Sequence, residues 1–262
     1  MASTNRSVWN GNLAFGLVVM PVSLHTATED HDVKFHQLHR ADGGRIGYQK
    51  VCKDCGEEVP FGDIAKGYDT GEESIMLGER DLDDMPLATR KTLEVLTFVD
   101  PLEVNPLMFS KSYYIKPGKD GGAGPYALLA ETLRITGKAG IVKVALRQRE
   151  ALGMLTVDEN GGLVLITLLW PDEVRDAPKP DALNLDPIVL AQAQALVTAM
   201  SGPFNPGEYS DDYTEAVSNM IQAKRNGTEQ PPVAQPSAAV PMDLSAVLTA
   251  SLKAKKAKKS KK

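Results

Sequence analysis

Hydrophobic and polar residues alternate with a period of two along much of the chain, which is the pattern of half-buried β-strands. The longest apolar run, residues 13–20, is bounded by Asn12 and Pro21. It predicts a buried strand in which Pro21 either ends the strand or lies at a sheet edge, because proline cannot donate a hydrogen bond to a strand ladder. Shorter runs predict further strands at residues 22–25, 33–37, 45–51, 92–100, 112–116, 139–147, 152–157 and 163–169.

Three segments have helical spacing instead. Residues 125–136 begin at a proline, carry apolar residues at helical intervals and stop before Gly137, as expected for a helix with a glycine after its last turn. Residues 187–200 and 209–224 predict two more helices, joined as a hairpin. The sequence therefore predicts a mostly β fold with α elements, in which short strands form an antiparallel sheet or a barrel.

The length of 262 residues allows one large domain or two small ones. No apolar run reaches the roughly 18 residues that a membrane-spanning helix needs, and the residues before Trp9 lack the apolar core of a secretory signal. The two cysteines lie three positions apart and are no secreted disulfide framework. We therefore expect a cytoplasmic protein without a membrane partner.

Charge is distributed unevenly along the chain. The formal net charge is −5, but the last twelve residues hold seven lysines and no acid, so residues 1–250 carry −12. Residues 228–241 are rich in proline, alanine and glutamine, which predicts a disordered linker before this tail. A polycation on a flexible linker should bind DNA without sequence preference, although a solubilising or targeting role also fits. The tail lysines predicted to contact DNA are Lys253, Lys255, Lys256, Lys258 and Lys259.

Three long strings follow one another along the chain: "FGLVVMPVSLHTATEDHDVKFHQLH" from Phe15, "GGRIGYQKVCKDCGEEVP" from Gly43 and "LLWPDEVRD" from Leu168. In these strings and their order the chain resembles the bacterial Ku family, the DNA-end-binding proteins of non-homologous end joining. The resemblance covers about residues 7–176 and continues more loosely to about residue 225.

The resemblance implies a Ku-like β-barrel core at residues 1–186, with a ribbon that arches over DNA at about residues 42–80. It implies a helical region at residues 187–227 for dimer formation or ligase recruitment, before a linker and lysine-rich tail at residues 228–262. Two chains would pair as a homodimer whose barrels and arches enclose double-stranded DNA. This ring would bind ends irrespective of sequence, protect them and recruit DNA ligase D on the nucleoid, without catalysis and without a required cofactor.

The residues themselves leave two other functions open. One is a zinc-stabilised module that binds DNA nonspecifically, and the other is a metal-dependent nuclease that uses an acidic cluster such as residues 81–84. The sequence contains no P-loop, no H-E-x-x-H and no G-x-S-x-G motif. Catalysis is therefore the weaker interpretation.

A C-x-x-C knuckle formed by Cys52 and Cys55 could present two thiolates to one zinc ion. His36 and His39 lie upstream and would complete four ligands if the two strands that carry the pairs were neighbours. This predicts a possible structural zinc at the base of the arch. The alternatives are two reduced thiols near two ordinary histidines, or a redox pair, which is less favoured because no βαβ pattern surrounds the motif.

Basic residues on strands that line a ring would grip phosphates and leave the bases unread, as binding to any DNA end requires. Most surface lysines only interact with solvent, so each single assignment competes with that simpler role. Arg45, Lys50 and Arg147 are favoured by their place in the predicted arch or on the strand that follows the first helix. The full predicted set in the body of the protein is Lys34, Arg45, Lys50, Lys53, Lys143 and Arg147.

Overall fold

The computed structural model describes residues 6–30, 32–78, 81, 91–119, 122–146, 149–179 and 186–228. The chain forms two compact units. One comprises residues 1–31 and 36–176, and the other comprises residues 32–35 and 177–262.

Seven strands of the first unit close into a barrel. They are β1 (Trp9–Phe15), β2 (Val18–Thr26), β5 (Thr92–Val99), β6 (Phe109–Pro117), β7 (Ala139–Leu146), β8 (Arg149–Val157) and β9 (Leu163–Leu168). Their order around the barrel is β1-β2-β6-β9-β8-β7-β5. Neighbouring strands are antiparallel, except that β1 and β5 run parallel where the barrel closes. The predicted mostly β fold with a barrel is thus confirmed.

The apolar run of residues 13–20 is a hairpin, so the prediction of one strand there is wrong. The turn begins at Gly16, whose φ of 57° is a left-handed conformation that glycine adopts at low cost. β2 then continues through Pro21, which lies opposite Asn12 in the ladder. The carbonyl of Pro21 accepts a hydrogen bond from the amide of Gly118, so the proline is accommodated within a strand without ending it.

The helix α1 (Ala123–Thr136) contributes Leu129 and Leu133 to the barrel core. It ends at Gly137, which has a φ of 63° and donates its amide to the carbonyl of Leu133, so the predicted helix and its glycine stop are confirmed. The fully buried leucines around the helix are Leu13, Leu24, Leu93, Leu155, Leu163 and Leu165. Burial of such side chains contributes about 1.5–3 kcal/mol each and supplies most of the stability of the barrel.

Between β2 and β5 the chain leaves the barrel and forms an insertion of short turns. Predicted strands at residues 33–37 and 45–51 are wrong, because the described part of the insertion forms only two isolated bridges in this region, Leu38 to Arg45 and Val51 to Glu58. Farther along, β3 (Lys66–Asp69) and β4 (Ser74–Leu77) pair as a two-stranded ribbon. The alternation in these segments did not produce longer strands, because none of their side chains is buried and burial of one face is what stabilises such strands.

The second unit holds the helices α2 (Pro187–Met200) and α3 (Asp212–Arg225), as predicted. The Asp186 side chain caps α2 by accepting from the amide of Ile188. Asp211 caps α3 in the same way and sets its start three residues after the predicted one. None of the helices in the described part of the chain has the length and apolar character of a membrane span.

Candidate nucleic-acid interface

The first turn of the insertion carries Arg45 at the end of a small hairpin. The amide of Ile46 donates to the carbonyl of Gln37 at 3.0 Å, and the amide of His39 donates to the carbonyl of Gly44 at 2.7 Å. These bonds place Arg45 opposite Leu38, with its side chain in solvent. The backbone thus fixes the position of the guanidinium without burying it.

The second turn of the insertion is the C-x-x-C knuckle, and it carries Lys50 and Lys53. The amide of Val59 donates to the carbonyl of Lys50 at 2.8 Å, which closes the base of the turn. Lys53 lies in the turn itself and is exposed. The ammonium of Lys50 lies 4.8 Å from the centre of the Phe61 ring, a cation–π contact that holds the lysine over the surface. Three predicted phosphate contacts therefore lie on two successive turns.

Charge in these turns is balanced. Residues 36–58 contain four basic side chains, Arg40, Arg45, Lys50 and Lys53, and four acidic ones, Asp42, Asp54, Glu57 and Glu58. The amide of Gly44 and the His39 ring hold the pKa of Asp42 below its usual value. Within the described part of the chain, neither Arg45 nor Lys53 forms an ion pair, so both cations are available to an anion from outside.

The predicted zinc ligands are only partly brought together. The backbone amides of Cys55 and Asp54, with the Cys55 thiol, hydrogen-bond to Cys52 and hold the pKa of its thiol below the ordinary value. His39 instead pairs with Asp42, at 2.9 Å between Nδ1 and Oδ1. In the part of the chain that the structure describes, no three His, Cys, Asp or Glu side chains are grouped to hold a metal. His36 and His39 therefore do not join the two cysteines in a four-ligand tetrahedral site here, and bound zinc stays a prediction.

Lys143 lies on β7 of the barrel and already contacts other side chains. Its ammonium is 3.7 Å from a carboxylate oxygen of Glu150 and 5.8 Å from the centre of the Trp170 ring. These contacts compensate part of its charge, so a phosphate would compete with Glu150 for the lysine. Its assignment to DNA stays a prediction.

The remaining predicted contacts divide into two groups. Lys34 is exposed and belongs to the second unit. Arg147 and the tail lysines Lys253, Lys255, Lys256, Lys258 and Lys259 lie outside the described residues. Arg40, which was not among the predicted contacts, is exposed in the turn of the Arg45 hairpin. The sequence feature that could have identified it is its position shortly before Gly43 and Gly44.

The insertion also exposes a large amount of apolar surface. No side chain of residues 36–78, all of which the structure describes, is buried. Phe61, Tyr48 and Met76 are 83%, 79% and 77% exposed. Phe61 begins a concave surface that ends at Leu77 and Gly78 of the ribbon. Exposed apolar surface of this extent is typical of an interaction site.

Comparison with known proteins adds a family to this geometry. Residues 14–193 match the family model "Ku: Ku70/Ku80 beta-barrel domain". The match begins in β1 and includes the whole insertion, the rest of the barrel and the first half of α2.

Similar proteins cover most of the chain. The "Non-homologous end joining protein Ku" of Frankia casuarinae is 43% identical over 96% of this chain, which spans 64% of that protein's length. The protein of the same name in Mycolicibacterium smegmatis is 38% identical over 96% of this chain and 83% of its own. "Protein Ku" of Mycobacterium phage Omega is 40% identical over 97% and 88%. Among solved structures, the SPOC domain of human PHD-finger protein 3 matches with a TM-score of 0.31 and 9% identity, over 62% of this chain and 95% of that one.

Proposed function

The chain belongs to the Ku family, and on that premise we propose that it binds the ends of double-stranded DNA irrespective of sequence. It acts as a homodimeric ring that protects the ends and recruits DNA ligase D in double-strand break repair by non-homologous end joining. The main support for the proposal is the family match over residues 14–193, because it includes both the barrel and its exposed insertion. The relatives named for end joining support the pathway.

Phosphate contacts from the insertion account for binding without sequence preference. Arg45 and Lys53 are exposed cations, and Lys50 lies between them along the chain. Side chains of this kind bind the DNA backbone and release counterions, whereas base edges are needed only to read sequence. Binding should therefore weaken steeply as salt concentration rises.

Encirclement explains how an acidic protein holds a polyanion. Residues 1–250 carry a net charge of −12, so the average field repels DNA. A closed ring loses DNA only at a terminus, and it can load only where the duplex has one. Topology then supplies the selectivity for ends, while local cations and the lysine tail supply the attraction.

A second copy of the chain is the partner that a ring requires. The exposed apolar side chains of the insertion, among them Tyr48, Phe61 and Met76, support burial against that copy. Closing a ring from two copies also follows the common two-fold symmetry of homodimers, in which one surface meets its own duplicate. The insertion thus supports both DNA contact and dimer formation.

The helical unit supports the recruitment of the ligase. No side chain of α2, which the structure describes throughout, is buried, and Ile188 and Val197 are 68% and 67% exposed. An apolar helix without a covered face fits the helix-in-groove mode of recognition. We assign this unit to dimer formation or ligase D contact, on a protein that acts at the nucleoid in the cytoplasm and does not itself cleave or join DNA.

One binding series tests the proposal. The full chain and a variant ending at residue 250 are compared on linear duplex, on the same duplex with both ends blocked by bulky adducts, and on relaxed closed circles. For the variant ending at residue 250 we expect stable binding to open linear duplex only, and for both proteins a mass of two chains per complex and no cleavage with or without chelator. Equal retention of the shortened variant on closed circles would contradict the ring, and metal-dependent cleavage would favour a nuclease.

A further inference from the structure

We propose that Cys52 and Cys55 are a modification site, at which the two thiols close a reversible disulfide by exchange with a low-molecular-weight disulfide. Both cysteines are free thiols in the structure, Cys55 exposed and Cys52 half-buried. The pair lies in the knuckle of the insertion, where solvent and small solutes reach it.

The backbone of the knuckle holds the two residues at the spacing that a disulfide needs. The amide of Gly56 donates to the carbonyl of Cys52 at 2.9 Å, and the amide of Cys52 donates to the carbonyl of Glu57 at 2.9 Å. Residues three apart across a turn have α-carbons within about 7 Å, and disulfides join α-carbons that lie about 4.4–6.8 Å apart. The Val51 to Glu58 bridge closes the knuckle below them.

The two cysteines lie in one tight turn. Cys52 opens the turn, and Cys55 directly precedes Gly56, whose amide closes the turn onto the carbonyl of Cys52. Cys52 also lines a shallow apolar depression with Val51, Val59 and Ile64, which leaves space beside its sulfur. A bond between the thiols needs side-chain rotation and a small closure of the turn, without refolding of the barrel.

The surroundings favour chemistry between two thiols over metal binding. A structural zinc site takes four ligands, and among the described residues no third His, Cys, Asp or Glu joins the two cysteines. His39, the nearest predicted ligand in the preceding turn, is engaged with Asp42. Two neighbouring thiols without further ligands can still exchange with a disulfide.

The exchange balances in two steps. The thiolate of the more exposed Cys55 attacks one sulfur of R–S–S–R, forms a mixed disulfide and releases RS⁻, which takes up the proton that Cys55 lost. The thiolate of Cys52 then attacks the Cys55 sulfur, forms the Cys52–Cys55 bond and releases the second RS⁻, which takes up the proton of Cys52. The two cysteines lose two electrons, and R–S–S–R gains them as two molecules of RSH.

The position of the pair connects its redox state to the insertion. Lys53 lies between the cysteines, and Lys50 lies two residues before the first. Formation of the Cys52–Cys55 disulfide changes the conformation of the turn that carries both lysines. This consequence rests on the proposed DNA binding, whereas the thiol chemistry itself does not.

The test uses the full chain, reduced and then equilibrated without DNA in mixtures of reduced and oxidised glutathione. Intact mass spectrometry and thiol titration after acid quenching should show the loss of two hydrogens and of both thiols together. For a two-electron exchange, the oxidised fraction should rise from about a tenth to about nine tenths over a roughly hundredfold change in [GSH]²/[GSSG]. Added dithiothreitol should restore both thiols.

Variants separate this mechanism from others. Cys52→Ser should trap one glutathione on Cys55, and Cys55→Ser should trap one glutathione on Cys52. The proposal is overturned if the native chain keeps glutathione on both cysteines, if it forms only disulfide-linked dimers, or if stoichiometric bound zinc keeps the thiols unreactive until a chelator removes it. Equal DNA affinities of oxidised and reduced protein would overturn the consequence for Lys53 alone. Because the thiol measurements contain no DNA, their failure leaves the proposed end binding standing.

Discussion

The hydroxyl of Tyr126 in α1 accepts a hydrogen bond from the backbone amide of Leu163, the first residue of β9, at 2.8 Å. The same hydroxyl donates to the carbonyl of Ile115 in β6 at 3.0 Å. One side chain therefore fastens the helix to two neighbouring barrel strands. It satisfies two backbone groups at the place where the helix meets the barrel.

Replacing Tyr126 by Phe should destabilise the barrel by about 1–3 kcal/mol, because the partly buried amide and carbonyl lose a partner that a phenyl ring cannot replace. Urea unfolding followed by circular dichroism measures the change in the free energy of unfolding. Tyr114→Phe, on an exposed position of β6, is the matched control and should change stability little. Equal stabilities of Tyr126→Phe and the native chain would show that water replaces the missing hydroxyl.

Tyr126 should also give the barrel a pH dependence in alkaline solution. Burial is the main cause that raises the pKa of its hydroxyl above the usual 10.0, and the charge of Asp158 adds to it, against the opposing effect of the Leu163 amide. A group whose pKa is higher in the folded state stabilises the fold fully below its unfolded pKa, and this stabilisation is lost as pH rises through the folded pKa. The stability difference between the native chain and Tyr126→Phe should therefore shrink above about pH 10. A difference that grows there would contradict the direction of the shift.

The barrel could be predicted from the sequence better than its turns could. Alternation located β5, β7 and the β8–β9 hairpin, because each strand has one face in a continuous core. It could not divide residues 13–20, since a run that is apolar throughout carries no period to mark Gly16 as a turn. In the insertion, alternation was misleading, because apolar residues of the two predicted strands, such as Phe35 and Tyr48, are exposed and do not pack in a core.

The candidate site was predictable in part. Arg45, Lys50 and Lys53 were assigned to one segment, and the structure gives them two adjacent exposed turns. The sequence could not predict that Lys143 lies near Glu150, because that contact depends on the pairing register of β7 with β8. It also could not show that His39 pairs with Asp42, since the local conformation of a short turn decides that contact.

The three cations of the insertion should act together on DNA affinity. Replacing Arg45, Lys50 and Lys53 by Ala should weaken binding to linear duplex and flatten the dependence of log K on log salt, by about 0.9 for each phosphate that the variant no longer neutralises. Fluorescence anisotropy over a range of salt concentrations measures both. The control replaces three exposed lysines elsewhere, Lys138, Lys179 and Lys224. A control whose slope flattens as much as that of the first variant would show that only net charge matters.

Lys143 can be tested through its partner. Glu150→Gln removes the carboxylate that lies 3.7 Å from the ammonium, so it should raise DNA affinity if the lysine reaches a phosphate. Lys143→Ala should lower affinity, and it should reduce the gain from Glu150→Gln when the two changes are combined, since residues in contact are not additive. Anisotropy titrations of the four proteins complete this cycle. Additive effects would assign the gain from Glu150→Gln to a change in overall charge alone.

Removal of residues 251–262 distinguishes the electrostatic attraction of the tail for DNA from the encirclement of DNA by the ring. The deletion takes away seven lysines, so affinity for linear duplex should fall and the salt dependence should flatten, since a polycation contributes through counterion release. Selectivity for open ends should remain, because it arises from the closed ring and not from charge. The measurement compares release from linear duplex with release from relaxed closed circles, and replacing the seven lysines by glutamines keeps the length of the tail as a control. If the deletion abolished end selectivity as well as affinity, the tail would be the binding element and the ring would have no part in choosing ends.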